Sequence, residues 1–395
     1  MNSWVELSES RLAANYRALA EMAGVEVMAV IKADAYGHGA PACAPALARA
    51  GARWLGVADV AEGVAVLASL AGVEPRPRIL IMSGLLPEDA PAIVEHDFAP
   101  VVWTLPQLES LAVTVSRAGA APLGVHLEID SGMSRQGVAP GPEFDGILAW
   151  LVAHPQLTLE GLMTHFASAE IAGSPQTTLQ RERFEQACRA VAASGLRPAW
   201  VHAGNTSTID NGAEADPMAW LARVARTLSA RPMVRSGIGL YGYSLPIERA
   251  PGFSGPVAAR VHDRLQPVMT WKTRVMALSD VAPGEAVGYN GAFIAQRAMR
   301  LALLPVGYSD GLRRSLSATN GSTGGWVLIN GQRANIVGRI SMNLTVVDVT
   351  GLSGVNVGDE AVLLGDGITA DDHASIAGTI SYEILCGVRA RQRLA

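Results

Sequence analysis

The stretch VEVMAVIKADAYGHG, residues 25–39, is a short apolar β-type run that ends on a lysine and continues into a loop with two glycines. Further runs of the same kind recur as far as residue 242, giving eight in all. They are VEVMAVIK (25–32), LGVAD (55–59), ILIMS (79–83), APVVWT (99–104), LGVHLEID (123–130), LTLEGLMTHF (157–166), AWVHAGN (199–205) and MVRSGIGLYG (233–242). Short strands that are apolar on both faces are typical of parallel sheets.

The runs alternate with segments that are compatible with helices, among them PALARAG (45–51), DVAEGVAVLASLAG (59–72) and TTLQRERFEQACRAVAASG (177–195). Strands that alternate with helices indicate βα units. Eight such units within about 220 residues fit a closed (β/α)8 barrel better than an open, doubly wound sheet. We therefore predict an α/β protein in which residues 1–245 form a TIM barrel.

The pattern changes after residues 246–262, PIERAPGFSGPVAARVH, whose proline and glycine content is typical of a linker. Strand-like runs then follow one another, joined by NG, GD and PG turns with little helix between them. These runs are VMTWKTRVMAL (268–278), RLALLPVGY (300–308), GWVLING (325–331), ANIVGRISMNLTVVDV (334–349) and DEAVLLG (359–365). We predict that residues 246–395 form a second, mainly β domain.

Composition narrows the classes of function. The formal charge of -5 and the lack of a basic stripe argue against a nucleic-acid partner. Cys43, Cys188 and Cys386 are odd in number and far apart, so we expect neither a disulfide framework nor a metal site. The N-terminus lacks the apolar core of a signal peptide, and no run of 18 residues is free of polar groups. We expect a cytoplasmic protein without a membrane span.

Two glycine motifs suggest chemistry that their surroundings do not support. Residues 237–242, GIGLYG, match the dinucleotide fingerprint, but the prolines that follow prevent the helix that this motif requires. The loops after strands 7 and 8 of a barrel are nevertheless a common phosphate site. Residues 307–311, GYSDG, match the hydrolase elbow, with His373 downstream, but no substantial helix can follow Ser309. We interpret GYSDG as a structural turn.

Only two of the 31 basic residues are lysines, Lys32 and Lys272. Lys32 ends a buried strand, and residues at the C-terminal ends of barrel strands point into the active-site mouth. Partial desolvation there lowers the pKa of an amine and frees it to form a Schiff base. Lys272 lies in an alternating strand of the second domain, where a lysine extends its amine to solvent. Lys32 is therefore the candidate nucleophile.

From residue 3 to about residue 390, the sequence resembles the alanine racemases, which are fold-type III pyridoxal-phosphate enzymes. The stretch AVIKADAYGHG (29–39) is similar to the signature of their cofactor lysine. Eight further blocks occur in the order and spacing of the family. They are HLEIDSGMSRQG (126–137), EGLMTHFASAE (160–170), HAGNTST (202–208), VRSGIGLYG (234–242), VGYNGAF (287–293), LPVGYSDG (304–311), VGRISMN (337–343) and ISYEIL (380–385).

The resemblance implies a set of cofactor contacts. Lys32 would carry pyridoxal 5'-phosphate covalently, and Arg235 would face the pyridine nitrogen. An arginine only donates, so that nitrogen would stay unprotonated and the electron sink would be weak, which limits side reactions. The phosphate would be held by Tyr36, Thr206, the backbone amides of Gly237 and Ile238, and Tyr382. His202 would steady Arg235, His165 would lie against the cofactor ring, and Asn205 would support these residues.

The resemblance also implies a two-base racemisation of alanine, which supplies D-alanine for peptidoglycan. Lys32 would act on one face of the substrate and Tyr289 on the other. In the family this tyrosine comes from the second domain of the partner subunit, so a homodimer with shared active sites is implied. Arg135 and the backbone amide of Met342 would bind the substrate carboxylate. By itself, Tyr289 would be interpreted as a packing tyrosine at the end of a strand.

Two positions depart from the common pattern of the family. Glu128 stands where a lysine, carbamylated to an anion, is often found, and we expect its carboxylate to pair with Arg135. Asn343 stands where an aspartate is common, which removes a negative charge near the substrate. A broad-spectrum or serine racemase therefore remains an alternative, because a methyl and a hydroxymethyl group differ by only about 1–3 kcal/mol in binding.

Two other classes of protein are weaker alternatives. A decarboxylase of the ornithine or diaminopimelate type has a carboxylate at the pyridine nitrogen, where this chain would place Arg235. A non-catalytic pyridoxal-phosphate carrier is a single barrel of domain size, which leaves the second domain and Tyr289 without explanation.

Overall fold

The computed structural model describes residues 2–212 and 216–394, and the side chains up to residue 390. The chain divides into two compact units. The barrel unit comprises Leu12–Ala35 and Ala40–Gln266, and the β unit comprises Met1–Arg11, Tyr36–Gly39 and Pro267–Ala395.

The strands, in chain order, are β1 Trp4–Leu7, β2 Glu26–Val30, β3 Trp54–Val57, β4 Arg78–Ile81, β5 Ala99–Val102, β6 Leu123–Glu128, β7 Leu157–Met163, β8 Ile171–Ala172, β9 Trp200–His202, β10 Arg231–Ser236, β11 Glu248–Arg249, β12 Met269–Arg274, β13 Ala277–Val281, β14 Ala286–Val287, β15 Phe293–Ile294, β16 Met299–Leu304, β17 Trp326–Ile329, β18 Gln332–Ile336, β19 Thr345–Asp348, β20 Glu360–Leu364 and β21 Arg391–Leu394. The helices are α1 Glu9–Ala23, α2 Lys32–Gly37, α3 Ala40–Ala50, α4 Val60–Ser69, α5 Ala90–Glu95, α6 Leu105–Ala118, α7 Pro142–Ala153, α8 Pro175–Ser194, α9 Thr206–Asp210, α10 Pro217–Thr227, α11 Ala370–Ala377 and α12 Ser381–Gly387.

The barrel unit is built on a closed sheet in the order β10-β2-β3-β4-β5-β6-β7-β9, in which every pairing is parallel. The predicted barrel is confirmed, and each of the eight apolar runs overlaps one of its strands. The interior is filled by large side chains from successive strands, a layer that includes Met28, Trp54, Leu80, Met163 and Trp200. Such a packed interior leaves chemistry to the ends of the strands.

The β unit is built on a nine-stranded sheet in the order β13-β16-β19-β18-β17-β20-β12-β1-β21. Its pairings are antiparallel except that of β1 with β21. The predicted mainly β domain is therefore confirmed. The units depart from the predicted division after residue 245 in three places. Met1–Arg11, which includes β1, and Tyr36–Gly39 belong to the β unit, and residues 246–266 stay with the barrel.

Asp210, at the end of α9, anchors the segment that was predicted as a linker. Its Oδ1 accepts hydrogen bonds from the backbone amides of Arg260, Val261 and His262, at 2.9, 2.7 and 3.0 Å. Ser244 Oγ donates to its other carboxylate oxygen at 2.9 Å. A buried carboxylate that satisfies several amides holds a chain without regular structure in place.

Among the described residues, no helix combines the length and apolarity that crossing a bilayer requires.

Candidate active site

Lys32 lies two residues beyond the end of β2, at the end of the barrel where parallel strands finish. The amide of Ile31 still donates to Gly56 of the neighbouring strand at 2.8 Å, so the backbone before the lysine is fixed by the barrel. Side chains at this end of a barrel are the usual carriers of catalysis. The structure thus places Lys32 where the sequence predicted it.

The residues after Lys32 form a left-handed turn. Ala33, Asp34, Ala35 and Tyr36 have φ angles of 52, 52, 54 and 55°. Left-handed backbone costs roughly 1–2 kcal/mol for each residue with a side chain, and such strain is concentrated at functional sites. The turn is held by the side chain of Asp34, whose Oδ1 accepts from the amide of Ala40 at 2.7 Å.

Arg235, on β10, is buried, with 2% of its surface exposed. Its Nη2 donates to the carbonyl of Thr164 at 2.8 Å and to His165 Nδ1 at 3.0 Å, and its Nη1 donates to His202 Nδ1 at 3.1 Å. Burial lowers the pKa of Arg235 to about 10, with Glu128 opposing the shift and Arg135 adding to it. The guanidinium therefore keeps its proton at neutral pH.

One atom of Arg235 tests whether the site fits the cofactor implied by the sequence. The Nε–H of Arg235 is buried and has no hydrogen-bond partner among the described residues. A buried donor without an acceptor is costly. An unprotonated pyridine nitrogen is an acceptor that would satisfy this N–H, so the residues present fit pyridoxal phosphate.

His165 brings the predicted basic residues into one neighbourhood. Its pKa is lowered well below the ordinary value by burial and then by the positive charges of Arg235, Arg135 and Lys32. His165 is therefore neutral at pH 7 and accepts from Arg235. Arg135 itself lies exposed in the loop after β6.

Glu128, the last residue of β6, is buried in the barrel unit and 2% exposed. Its carboxylate accepts a hydrogen bond from Gln136 Nε2, and Gln136 also donates to the carbonyl of Met82 at 3.0 Å. Among the described residues, neither a hydrogen bond nor an ion pair joins Glu128 to Arg135. The expected carboxylate–guanidinium pair is thus replaced here by Gln136, because Arg135 extends into the exposed loop.

The pKa of Glu128 is raised by burial, and Gln136, Arg235 and Arg135 oppose that shift. Glu128 therefore acts on the two arginines through its charge. No sequence pattern predicts the role of Gln136, because its side chain is positioned by a loop and not by a strand.

The candidate phosphate residues lie after β9 and β10, the seventh and eighth strands of the barrel. Asn205 caps α9 by accepting from the amide of Thr208 at 3.1 Å. Thr206 Oγ1 lies 2.9 Å from Ser236 Oγ and accepts from the amide of Gly239 at 3.2 Å. Gly237 precedes a 3-10 turn that begins at Ile238, so the long helix of a dinucleotide site is absent here.

In the β unit, Tyr36 and Tyr382 form a ring contact with centroids 5.9 Å apart. Burial raises the pKa of Tyr36 well above its ordinary value, so its hydroxyl stays protonated and can donate. Gly37 has no room for a Cβ, because the carbonyl of Leu385 lies against it.

Tyr289 and Met342 are exposed apolar residues of the β unit, with 62% and 56% of their surfaces accessible to solvent. The turn that carries Met342 is held by Ser309, whose amide and Oγ donate to the carbonyl of Met342 at 3.0 and 2.8 Å. Asn343 Nδ2 donates to the same Oγ at 2.7 Å. Ser309 is therefore a structural residue, as GYSDG predicted, and Asn343 supports it.

Lys272 is not free to bind a cofactor. Its Nζ lies 2.8 Å from Glu6 Oε2 and 3.4 Å from Glu360 Oε2, both on neighbouring strands of the sheet. These carboxylates raise the pKa of Lys272.

Among the described residues, no group of three histidine, cysteine or acidic side chains is arranged to hold a metal ion.

Comparison with known proteins gives one consistent result. Residues 7–245 match the family described as "Alanine racemase, N-terminal domain", and residues 268–394 match "Alanine racemase, C-terminal domain". The chain is 36% identical to an alanine racemase of Symbiobacterium thermophilum over 98% of this chain and 95% of that protein. It is 37% identical to one of Pseudomonas fluorescens over 95% and 93%.

Solved structures agree with the sequence comparison. An alanine racemase from Streptomyces coelicolor A3(2) has a TM-score of 0.87 at 32% identity and covers 100% of this chain and 97% of its own. One from Bartonella henselae, described with covalently bound pyridoxal phosphate, has a TM-score of 0.81 at 25% identity and covers 100% of both chains.

Proposed function

This chain belongs to the alanine racemase family of pyridoxal-phosphate-dependent isomerases, and we propose that it interconverts L- and D-alanine with Lys32 and Tyr289 as its two bases. The observation that carries the residue assignment is the buried, unpaired Nε–H of Arg235 in the neighbourhood of Lys32. Its proposed role is to donate to an acceptor that the described residues do not provide.

Pyridoxal phosphate, when bound, withdraws electrons from the α-carbon, so that the α-proton becomes acidic enough for a side chain to remove. Lys32 is assigned as the covalent anchor and as the base on one face. Arg235 holds the ring nitrogen by donation alone, because burial leaves its pKa near 10. A guanidinium that stays charged does not pass a proton to that nitrogen.

The phosphate is assigned to two groups of residues. In the barrel unit these are Thr206 and the amides of Gly237 and Ile238, at the site where barrels commonly hold phosphate. In the β unit they are the hydroxyls of Tyr36 and Tyr382, whose rings are in contact. Asn205 fixes the first turn of α9 and thereby the position of Thr206.

The substrate carboxylate is assigned to Arg135 and to the backbone amide of Met342. Tyr289 is assigned as the base on the second face, supplied by the partner subunit of a homodimer. Its exposure of 62% supports this assignment, since a tyrosine that acts in a neighbouring chain is open to solvent in its own.

Racemisation of alanine in the cytoplasm would supply D-alanine for cell-wall synthesis. Purified protein incubated with L-alanine should give an equimolar mixture of enantiomers by chiral chromatography, and L-serine and L-lysine should react more slowly. Comparable rates on serine would favour the broad-spectrum or serine racemase alternative. Release of carbon dioxide and an amine would contradict the proposal.

Borohydride reduction tests the assignment of Lys32. The cofactor should become fixed to the peptide that contains Lys32, both in the unchanged protein and in the matched control Lys272→Ala. A label on Lys272 would contradict the assignment, since the chain has only these two lysines.

A further inference from the structure

A series of polar side chains crosses the otherwise apolar interior of the barrel below Arg235. His202 Nδ1 lies 3.1 Å from Arg235 Nη1, and His202 Nε2 lies 2.8 Å from His126 Nδ1. His126 Nε2 in turn lies 3.9 Å from Glu160 Oε2. Both histidines are fully buried, and the surrounding layer consists mainly of methionine, tryptophan and aliphatic side chains.

The series ends at the opposite end of the barrel. Glu160 Oε2 accepts from Arg78 Nη2 at 2.9 Å, and Arg78 Nη1 donates to Asp97 at 2.8 Å. Arg78 is the first residue of β4, so it lies where the parallel strands begin. A cavity of about 370 Å³ there is lined by Arg78, Asp97, Gly124 and Glu160, among others.

The chemistry of the two ends determines where each proton lies. Arginine only donates and a carboxylate only accepts. His202 must therefore accept at Nδ1 and donate from Nε2, and His126 must accept at Nδ1 and present its Nε2–H to Glu160. Both rings are neutral at pH 7, since burial lowers the pKa of His126 to about 3 and that of His202 well below its ordinary value.

The His126 Nε2 atom is buried and makes no hydrogen bond among the described residues. The Glu160 carboxylate is the acceptor that faces it, with Oε2 3.9 Å away, so Glu160 acts on His126 through its charge. Burial raises the pKa of Glu160, while the adjacent Arg78 guanidinium opposes that shift. The arrangement therefore has a donor at one end, an acceptor at the other and a single proton order between them.

The backbone is shaped to admit these side chains. A Cβ on Gly161 would collide with the ring of His126, and a Cβ on Gly124 would collide with the carboxylate of Glu160. The pairing of β6 with β7 also shifts in register between Val125 and His126. Such irregularities re-aim side chains beside functional sites. Trp54 packs edge-on against His126 with ring centroids 5.2 Å apart and limits its rotation.

Filling space is the simplest explanation for two core histidines, but apolar side chains would do so without the cost of desolvating polar groups. We propose that His126 and Glu160 are positioning residues that act through His202 to hold Arg235 in the orientation and hydrogen-bonding state needed at the cofactor ring. This inference rests on the proposed role of Arg235. The Glu160 anion polarises His126, which strengthens His202 as the acceptor for Arg235.

Nuclear magnetic resonance of the holoenzyme with ¹⁵N-labelled histidine tests the proton order directly. At pH 7, both His126 and His202 should carry their proton on Nε2, with Nδ1 unprotonated. The two residues can be assigned by loss of their signals in His126→Phe and His202→Asn. A proton on Nδ1 of either ring would overturn the proposal, whatever the enzyme's activity.

Glu160→Gln tests the influence of the carboxylate, with Asp97→Asn as the matched control because both variants remove an anion paired with Arg78. Glu160→Gln and His126→Phe should shift the pH midpoint of the bound cofactor's absorbance by about half a unit or more. They should lower kcat about threefold or more with little change in KM, since the substrate contacts remain. Asp97→Asn should resemble the unchanged enzyme.

Arg235→Lys distinguishes a failure of the positioning role of His126 and Glu160 from a failure of the proposed role of Arg235. It should shift the absorbance midpoint further than Glu160→Gln does. If Arg235→Lys shifts the midpoint but Glu160→Gln behaves like Asp97→Asn, the positioning role of His126 and Glu160 is overturned and the proposed role of Arg235 stands. If Arg235→Lys has no effect, both the proposed role of Arg235 and the positioning role of His126 and Glu160 are overturned.

Discussion

Arg235 is a buried guanidinium that is oriented by hydrogen bonds without a carboxylate in direct contact. Its three hydrogen-bond acceptors are neutral, namely Thr164 O, His165 and His202. Glu128 acts from further away by raising the pKa of Arg235. A direct ion pair would neutralise the guanidinium, whereas neutral acceptors orient it and leave its charge available to a ligand.

Glu128→Gln should reduce kcat/KM for alanine by about tenfold or more, the scale of a lost charge-assisted interaction of roughly 1.5–3 kcal/mol. The reason is that the variant keeps the shape but removes the buried anion that acts on Arg235 and Arg135. Gln136→Leu should have a smaller effect, because it removes a neutral donor and leaves the charge. Steady-state kinetics that match the unchanged enzyme would show that the charge of Glu128 is unimportant.

We expect Glu128 to make activity independent of bicarbonate. A lysine needs carbon dioxide to become an anion, whereas a glutamate has a carboxyl group of its own. Initial rates measured with and without added bicarbonate, in solutions depleted of carbon dioxide, should agree. A marked stimulation by bicarbonate would contradict this role for Glu128.

At the residue scale, the sequence predicted the contact between Arg235 and His202, because the family resemblance names both. It did not predict Gln136 as the partner of Glu128. A sequence shows that a buried carboxylate needs a partner, but the choice between Arg135 and Gln136 depends on the path of a loop. Loop paths are set by packing that local patterns do not describe.

The left-handed turn after β2 is the most unusual element of the barrel unit. Alanine has no special tolerance for this conformation, so the sequence ADAY predicts nothing of the kind. The turn persists because strand β2 fixes its start and the bond from Ala40 to Asp34 fixes its interior. The sequence therefore predicts that Lys32 follows strand β2, but it does not predict the left-handed backbone after this lysine.

Ala33→Gly should raise the free energy of unfolding by about 1 kcal/mol, because glycine adopts left-handed backbone without strain. Ala33 is exposed, so little packing is lost. The matched control is Ala65→Gly, at an exposed position within the right-handed helix α4, which should lower stability by about 1 kcal/mol. Thermal unfolding that shows equal destabilisation by both variants would contradict a left-handed turn in solution.

Strand β1 illustrates a second limit at the element scale. Its partners β12 and β21 lie more than 250 residues away along the chain. The run WVEL is too short to indicate which sheet it joins, and sequence proximity favoured the barrel. The barrel strands were predictable because each is a neighbour of the next βα unit, which makes their pairing local.

The whole molecule keeps its proposed bases in different units. Lys32 belongs to the barrel unit and Tyr289 to the β unit. Tyr289 and Met342 are both exposed in the single chain, as we expect of residues that a second copy would cover in the proposed dimer. A closed, two-fold dimer would supply each barrel mouth with one such surface.

Mixing inactive Lys32→Ala with inactive Tyr289→Phe should therefore restore activity. With random exchange of subunits, half of the dimers contain one chain of each kind, and one of the two sites in each is intact. About a quarter of all sites should work, as expected for an interface shared by two subunits. Failure to recover activity, when mass spectrometry confirms that subunits have exchanged, would place both bases on one chain.

We propose that Lys32 exchanges the α-proton on one face of the substrate and Tyr289 on the other. Deuterium exchange in Tyr289→Phe tests this assignment most directly. With Lys32 as the remaining base, the variant should exchange the α-hydrogen of one enantiomer of alanine with solvent deuterium. It should neither exchange the other enantiomer nor interconvert the two at an appreciable rate. Exchange of both enantiomers, or racemisation at the rate of the unchanged enzyme, would contradict the two-base account.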